Sequence, residues 1–189
     1  IKAAKRAISG TISVSRDIII AARSPVHECL FSETLFELGI GNVIIAKMMP
    51  TNRIGMGVFL LDVYCLGVKN AFYANLKLDE NNEKKQKLAS EVDLEIIHPS
   101  CARKLIEGGV IYAEQYGFKP HRDYKMAKQI FGDIDPTACP KVFDYGQDGK
   151  PFYVSGPHDT PQKSEAILHI ALMPLDNSLE HHKSFQCCS

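Results

Sequence analysis

The stretch GVFLLDVYCL at residues 57–66 decides the fold class, because it is almost continuously apolar and rich in strand-forming residues. A run this apolar needs cover on both faces, so it predicts an interior strand of a sheet. Upstream, residues 43–45 predict another strand, and the turn signal at residues 50–53 separates the two. Gly67 predicts a bend or bulge, after which residues 68–73 continue as a further strand.

Two helices and a hairpin are predicted after these strands. In residues 99–116 apolar side chains recur at spacings of three and four, which draws one buried stripe along a helix. A second helix is predicted over residues 120–132. An Asp-Gly pair between two aromatic-rich runs indicates a β-hairpin at about residues 141–155. The order of elements predicts an α+β fold: a mainly antiparallel sheet, a packed helix pair at about 98–131 and the late hairpin.

Weaker patterns complete the outline of the chain. The Ile-Ile-Ile run at residues 18–20 predicts a short strand, and residues 167–172 are interpreted as another. Residues 77–95 carry many charges and predict an exposed loop. We expect a single domain over residues 1–173 and a C-terminal tail over residues 174–189.

Composition limits the classes of function. The chain has 189 residues, of which 45% are hydrophobic, enough for a core. It carries 22 Lys+Arg and 22 Asp+Glu, and this balance argues against nucleic acid as the partner. The segment 1–23 is locally basic. No run of 18 apolar residues occurs, so no membrane span is expected.

The six cysteines leave a disulfide framework open, but a chain of this length does not need one. Cys65 lies in an apolar run and Cys101 begins the predicted helix, as small buried hydrophobic residues do. We therefore expect reduced thiols and a cytoplasmic location.

Asp62 is the most informative single residue, because it interrupts a run that otherwise favours burial. A buried carboxylate needs a cation, hydrogen bonds, a metal or a proton. Two interpretations stay open. Asp62 is either a structural hydrogen-bond anchor, or a general base or metal ligand on a strand.

Two further clusters could carry chemistry. His27 and Glu28 follow a Ser-Pro turn and pair an imidazole with a carboxylate, a combination suited to acid–base work near neutral pH. His121 and Asp123 fall at the predicted start of the second helix, where an anion could bind near Arg122 and Lys125. Ordinary solvated polarity is the alternative for both clusters.

Four short sequence segments together resemble those of a group of uncharacterised bacterial hypothetical proteins. They are PVHEC at residues 25–29, DVYCLGVK at 62–69, PHRDY at 120–124 and DGKPFYVSGP at 148–157. The resemblance implies a bacterial, cytoplasmic protein and brings no activity, cofactor or partner with it.

Two functional hypotheses follow. The first is a small hydrolase or phosphoryl-handling enzyme in which Asp62 acts with Glu28 or Asp123 to hold Mg²⁺ or Mn²⁺, and His27 or His121 moves protons. Its ligand would be a small or phosphate-containing molecule. The second is a non-catalytic binding or assembly module that uses a sheet edge to form a homodimer or to capture a partner.

Overall fold

The computed structural model describes residues 16–80, 93–153 and 160–171. Its centre is a five-stranded antiparallel sheet with the strand order β4-β3-β2-β1-β5. The strands are β1 (Val26–Ser32), β2 (Ile40–Met49), β3 (Arg53–Asp62), β4 (Gly67–Lys77) and β5 (Leu94–Ile96). Together with the helices described below, this sheet confirms the predicted α+β class.

Strands β2, β3 and β4 form a meander in which β3 is an interior strand, as its apolar sequence predicted. Thr51 and Asn52 adopt positive φ angles of 63° and 56°, so they form the tight turn between β2 and β3. The apolar run at 57–66 supplies the second half of β3 and then the turn into β4, which begins at Gly67 with φ 64°.

The sheet is accompanied by the helices α1 (Leu35–Leu38), α2 (Pro99–Gln115), α3 (Tyr124–Ala127) and α4 (Pro161–Ala171). Two 3₁₀ turns span Lys128–Phe131 and Pro136–Ala138, and residues 16–22 are also helical. The long helix α2 begins at Pro99 after the N-cap His98, and Gly117 with φ 80° follows its end.

One face of the sheet packs against α2, α3 and the turn at Lys128–Phe131, and the main core lies between them. The approach is close where α2 crosses the start of β4. A Cβ atom at Gly67 would lie 2.8 Å from the carbonyl oxygen of Gly109, and one at Gly109 would lie 2.8 Å from Leu61 Cδ1. This explains why α2 keeps glycine in its interior despite a cost of about 1 kcal/mol.

Three local predictions were wrong in type or extent. Residues 18–20 are helical, because Ile18 and Ala21 bury one side of a turn while Ile19 remains half exposed. Residues 167–171 lie in the helix α4 instead of a strand. The predicted second helix is reduced to α3 and the 3₁₀ turn that follows it.

The predicted hairpin at 141–155 is reduced to its turn. Gln147 and Lys150 form an isolated bridge around Asp148 and Gly149, and residues 141–145 and 151–153 do not extend it as strands. Residues 154–155 lie outside the described part of the chain, as do residues 81–92 of the charged loop, residues 172–173 and the whole predicted tail at residues 174–189. Among the described residues, no helix combines the length and the apolar character needed to cross a membrane.

Candidate functional site

Asp62 ends β3, and its carboxylate organises the turn into β4. Its Oδ1 accepts hydrogen bonds from the backbone amides of Tyr64 at 3.1 Å and Cys65 at 2.8 Å. Burial raises the pKa of Asp62, while these amide hydrogen bonds and the charge of Lys69 oppose the rise. Because the amides of its own turn bind this carboxylate, the geometry favours the structural interpretation of Asp62.

His27 and Glu28 lie far from Asp62. Strand β1 has a register shift between Val26 and Glu28, which leaves His27 Nε2 4.0 Å from Glu28 Oε1. Across β2, Glu28 pairs with Ala46 and Asp62 pairs with Ile40. Six residues along a strand separate those positions by about 20 Å. The proposed grouping of Asp62 with His27 and Glu28 is therefore not formed by this sheet.

His121 and Asp123 lie beside the edge strand β4. The backbone amide of His121 donates to the carbonyl of Val68 at 2.8 Å, which fixes this segment to the sheet. The His121 ring accepts at Nδ1 from the backbone amide of Asp123 at 3.3 Å, and Asp123 Oδ2 lies 3.8 Å from the same nitrogen. Nδ1 of His121 is thus occupied by the backbone of its own segment, and Nε2 is the ring nitrogen that remains for a ligand.

An open cleft of about 600 Å³ lies between α2 and the segment at residues 119–128, and we call it the basic cleft. Its volume lies in the range of small-molecule sites. Its lining comprises Glu107, Val110, Ile111, Glu114, Lys119, Pro120, His121, Arg122, Tyr124, Lys125 and Lys128. Of the five predicted site residues, this lining contains His121 but not Asp62, His27, Glu28 or Asp123.

Four cationic side chains dominate the basic cleft: Lys119, Arg122, Lys125 and Lys128. They recur at every third residue, so the turn at Pro120, the helix α3 and the 3₁₀ turn direct all four toward the same cleft. That spacing is visible in the sequence, and the anion contact predicted at Arg122 and Lys125 includes two of the four. The helix α3 is only four residues long, so the side chains supply the positive charge.

Two carboxylates lie on the opposite wall, but one of them is already neutralised. Glu107 Oε1 lies 3.0 Å from Arg103 Nε in an ion pair along α2. Glu114 forms no ion pair within residues 16–80, 93–153 and 160–171. The charge of the lining is therefore positive in sum, although the charge of the whole chain is zero.

Tyr124 gives the cleft an ordered aromatic surface. Its ring packs edge-on against Phe59 with the centroids 6.1 Å apart, and Lys128 Nζ lies 5.4 Å from its centroid. Burial raises the pKa of Tyr124, and the charge of Glu107 adds to the rise. Its hydroxyl therefore remains protonated at neutral pH.

Lys47 is a buried charge that the sequence analysis missed. It is fully buried, and Nζ donates to the carbonyl of Ala22 at 2.8 Å and to that of Phe131 at 3.5 Å. Asp133 Oδ1 lies 3.5 Å away. Burial lowers the pKa of Lys47, and Asp133 opposes the shift. The available signal was the one used for Asp62, a charge inside an apolar strand.

The four cysteines in the described part of the chain divide into two groups. Cys101 and Cys139 form a disulfide between α2 and the end of a 3₁₀ turn, so the expectation of reduced thiols is wrong for this pair. Cys29 and Cys65 are free and buried, and burial raises the pKa of each thiol to about 12. Such thiols remain protonated and are poor nucleophiles at neutral pH.

Within residues 16–80, 93–153 and 160–171, no group of three or more His, Cys, Asp or Glu side chains is arranged to hold a metal ion. Comparison with protein-family models, curated proteins and solved structures found no match to this chain. The resemblance to a bacterial group therefore stays a prediction.

Proposed function

We propose that this protein binds a small phosphate-containing molecule in the basic cleft. The observation that supports the proposal is the convergence of four cationic side chains on one cleft of small-molecule size. Nε2 of His121 and the hydroxyl of Tyr124 add donors suited to phosphate oxygens. Charge-assisted hydrogen bonds of this kind are each worth about 1.5–3 kcal/mol.

The arrangement of charge also supports a small ligand over a polymer. The cations lie on one segment of ten residues, and the acidic side chains elsewhere balance them over the whole chain. A protein that tracks a nucleic-acid backbone usually carries a basic excess. We therefore assign the cleft to a compact anion.

Isothermal titration calorimetry with pyrophosphate tests this proposal. The double variant Arg122→Gln, Lys125→Gln removes two charges from the cleft, and Lys141→Gln, Lys150→Gln removes two exposed charges elsewhere. We expect the cleft variant to bind at least tenfold more weakly, since about 1.4 kcal/mol corresponds to that factor. The control variant should bind as the wild type does. Equal losses in both variants, or no heat with the wild type, would refute the proposal.

A phosphoryl-handling hydrolase is the second candidate, because His121 lines the cleft and its Nδ1 lies 3.8 Å from Asp123 Oδ2. Phosphate-ester hydrolysis with added Mg²⁺ or Mn²⁺ tests it. An enzyme of this kind should lose turnover in the His121→Gln variant while pyrophosphate binding persists. If the wild type shows no turnover, or if the variant turns over as fast as the wild type, the hydrolase candidate is refuted and only the binding function remains.

Self-association through a sheet edge is the assembly alternative, and β4 is the long edge strand that would support it. Phe72 on this strand is 48% exposed. Sedimentation of the wild type and a Phe72→Asp variant tests a homodimer, which the charge should dissociate. We also propose a cytoplasmic location, against which the Cys101–Cys139 disulfide counts, because the cytosol keeps thiols reduced.

A further inference from the structure

A second cleft of about 390 Å³ adjoins the basic cleft. It lies between the helical residues 16–22, the first half of α2 and the 3₁₀ turn at Lys128–Phe131. Glu107 and Lys128 line both clefts, so the two share a boundary. We call this second space the arginine cleft, because Arg23 and Arg103 line it.

The charges of the arginine cleft divide into fixed and available ones. Arg103 is fixed, because Nε pairs with Glu107 at 3.0 Å and Nη1 donates to the carbonyl of Ile134 at 2.7 Å. Its guanidinium also lies 5.5 Å from the ring centroid of Phe131. Arg23 and Lys128 form no ion pair within the described residues. An anion in this cleft therefore meets Arg23 and Lys128 without opposition from Glu107.

The spacing of the clefts follows from α2, which forms a wall of both. The basic cleft uses Glu107–Glu114 of this helix, and the arginine cleft uses Arg103–Glu107. At a rise of about 1.5 Å per residue, the centres of these two stretches are roughly 8 Å apart. This distance exceeds the separation of two phosphates joined directly, but a short carbon chain spans it.

We infer that the ligand is a small molecule with two anionic groups about 8 Å apart, one in each cleft. The inference rests on the proposed phosphate binding and adds the chemical class of the ligand. Binding the second group is intramolecular once the first is held, so the two groups together should bind more tightly than one group alone.

Calorimetric titration with methylphosphonate and with alkane bisphosphonates of increasing chain length tests the inference. We expect a chain that separates the phosphonates by about 8 Å to bind at least tenfold more tightly than methylphosphonate. Arg23→Gln should remove most of that gain and leave methylphosphonate affinity unchanged. Lys150→Gln, which lies in neither cleft, should change neither affinity.

The outcomes separate this inference from the proposed function. If neither methylphosphonate nor pyrophosphate binds, the proposed function fails and the inference fails with it. If methylphosphonate binds but no bisphosphonate gains more than twofold, only the inference fails. A gain that survives Arg23→Gln also overturns it, as does tighter binding of a single-stranded oligonucleotide at equal phosphate concentration. Circular dichroism of each variant establishes that the fold is retained.

Discussion

Lys47 and Asp62 lie inside the sheet, whereas Lys119, Arg122 and Lys125 line an open cleft, and the two regions satisfy their charges differently. The ammonium of Lys47 binds backbone carbonyls at the ends of two helical segments, and the carboxylate of Asp62 binds the amides of its own turn. The cleft cations line open space instead, and Arg122 Nε also lies 3.7 Å from Asp123 Oδ1 in an exposed ion pair.

The difference separates two roles for charge. A buried charge is costly unless the fold hydrogen-bonds it, so its partners come from the protein itself. An exposed cation remains hydrated, so it adds little to the free-energy cost of folding and can still bind a ligand. We therefore expect removal of a buried charge to reduce stability, and removal of a cleft charge to reduce binding.

The largest effect is expected at Lys47. Lys47→Ala leaves a cavity in the core and frees the carbonyls of Ala22 and Phe131, so the free energy of unfolding should fall by more than about 3 kcal/mol. Lys47→Met is the matched control, because it keeps the volume and should cost less than half as much. Urea unfolding of both variants measures this. A loss below about 1 kcal/mol for the alanine variant would show that Lys47 does not hold the two helical segments.

The next effect is expected at Asp62. Asp62→Ala removes the acceptor from the amides of Tyr64 and Cys65 and should cost about 1–3 kcal/mol without changing pyrophosphate affinity. Asp62→Asn keeps an acceptor and removes the buried charge, so it should be less destabilising. Denaturation and calorimetry on the same samples separate the two roles. Lost binding with retained stability would restore Asp62 as a site residue.

The buried thiols predict a loss of stability at alkaline pH. In the unfolded chain Cys29 and Cys65 lose protons near pH 9, whereas burial holds each pKa at about 12 in the folded protein. Stability is therefore lost as pH rises from 9 toward 12, by about 1.4 kcal/mol per pH unit for each thiol. Unfolding of the wild type and of Cys29→Ala, Cys65→Ala across this range gives the slopes. If the free energy of unfolding falls with pH at the same slope in the wild type and the variant, the burial of these thiols is contradicted.

The smallest effect is expected at Glu114, on the wall opposite the cations. Glu114→Gln removes a charge that repels the anion and should raise pyrophosphate affinity about 1.4- to fivefold, since exposed charge pairs are worth about 0.2–1 kcal/mol. Glu95→Gln on β5 is the control, because it lies outside the cleft. Affinity that rises equally in both would indicate a general effect of net charge.

The sequence predicted the fold better than the site. The apolar run at 57–66 and the apolar stripe of α2 are patterns of neighbouring residues, so the interior strand and the helix could be predicted from the sequence. The helical residues 16–22 could not, because their type depends on which isoleucine the tertiary core buries.

Candidate site residues were harder to predict because convergence depends on sheet register. The local sequence does not show that Glu28 and Asp62 lie opposite residues of β2 that are six positions apart. The repeat of cations from Lys119 to Lys128 is visible in the sequence. That these side chains line a cleft could not be predicted, because α2 forms the opposite wall.

We propose that the ligand binds at the basic cleft and not at the buried charges. A ¹H–¹⁵N correlation titration of the full chain with pyrophosphate tests it most directly. We predict saturable shifts of amides in residues 107–114 and 119–128, and none of comparable size at residues 27–28 or 62–67. Saturable shifts centred on residues 27–28 or 62–67, or no saturable shifts at all, would contradict the account.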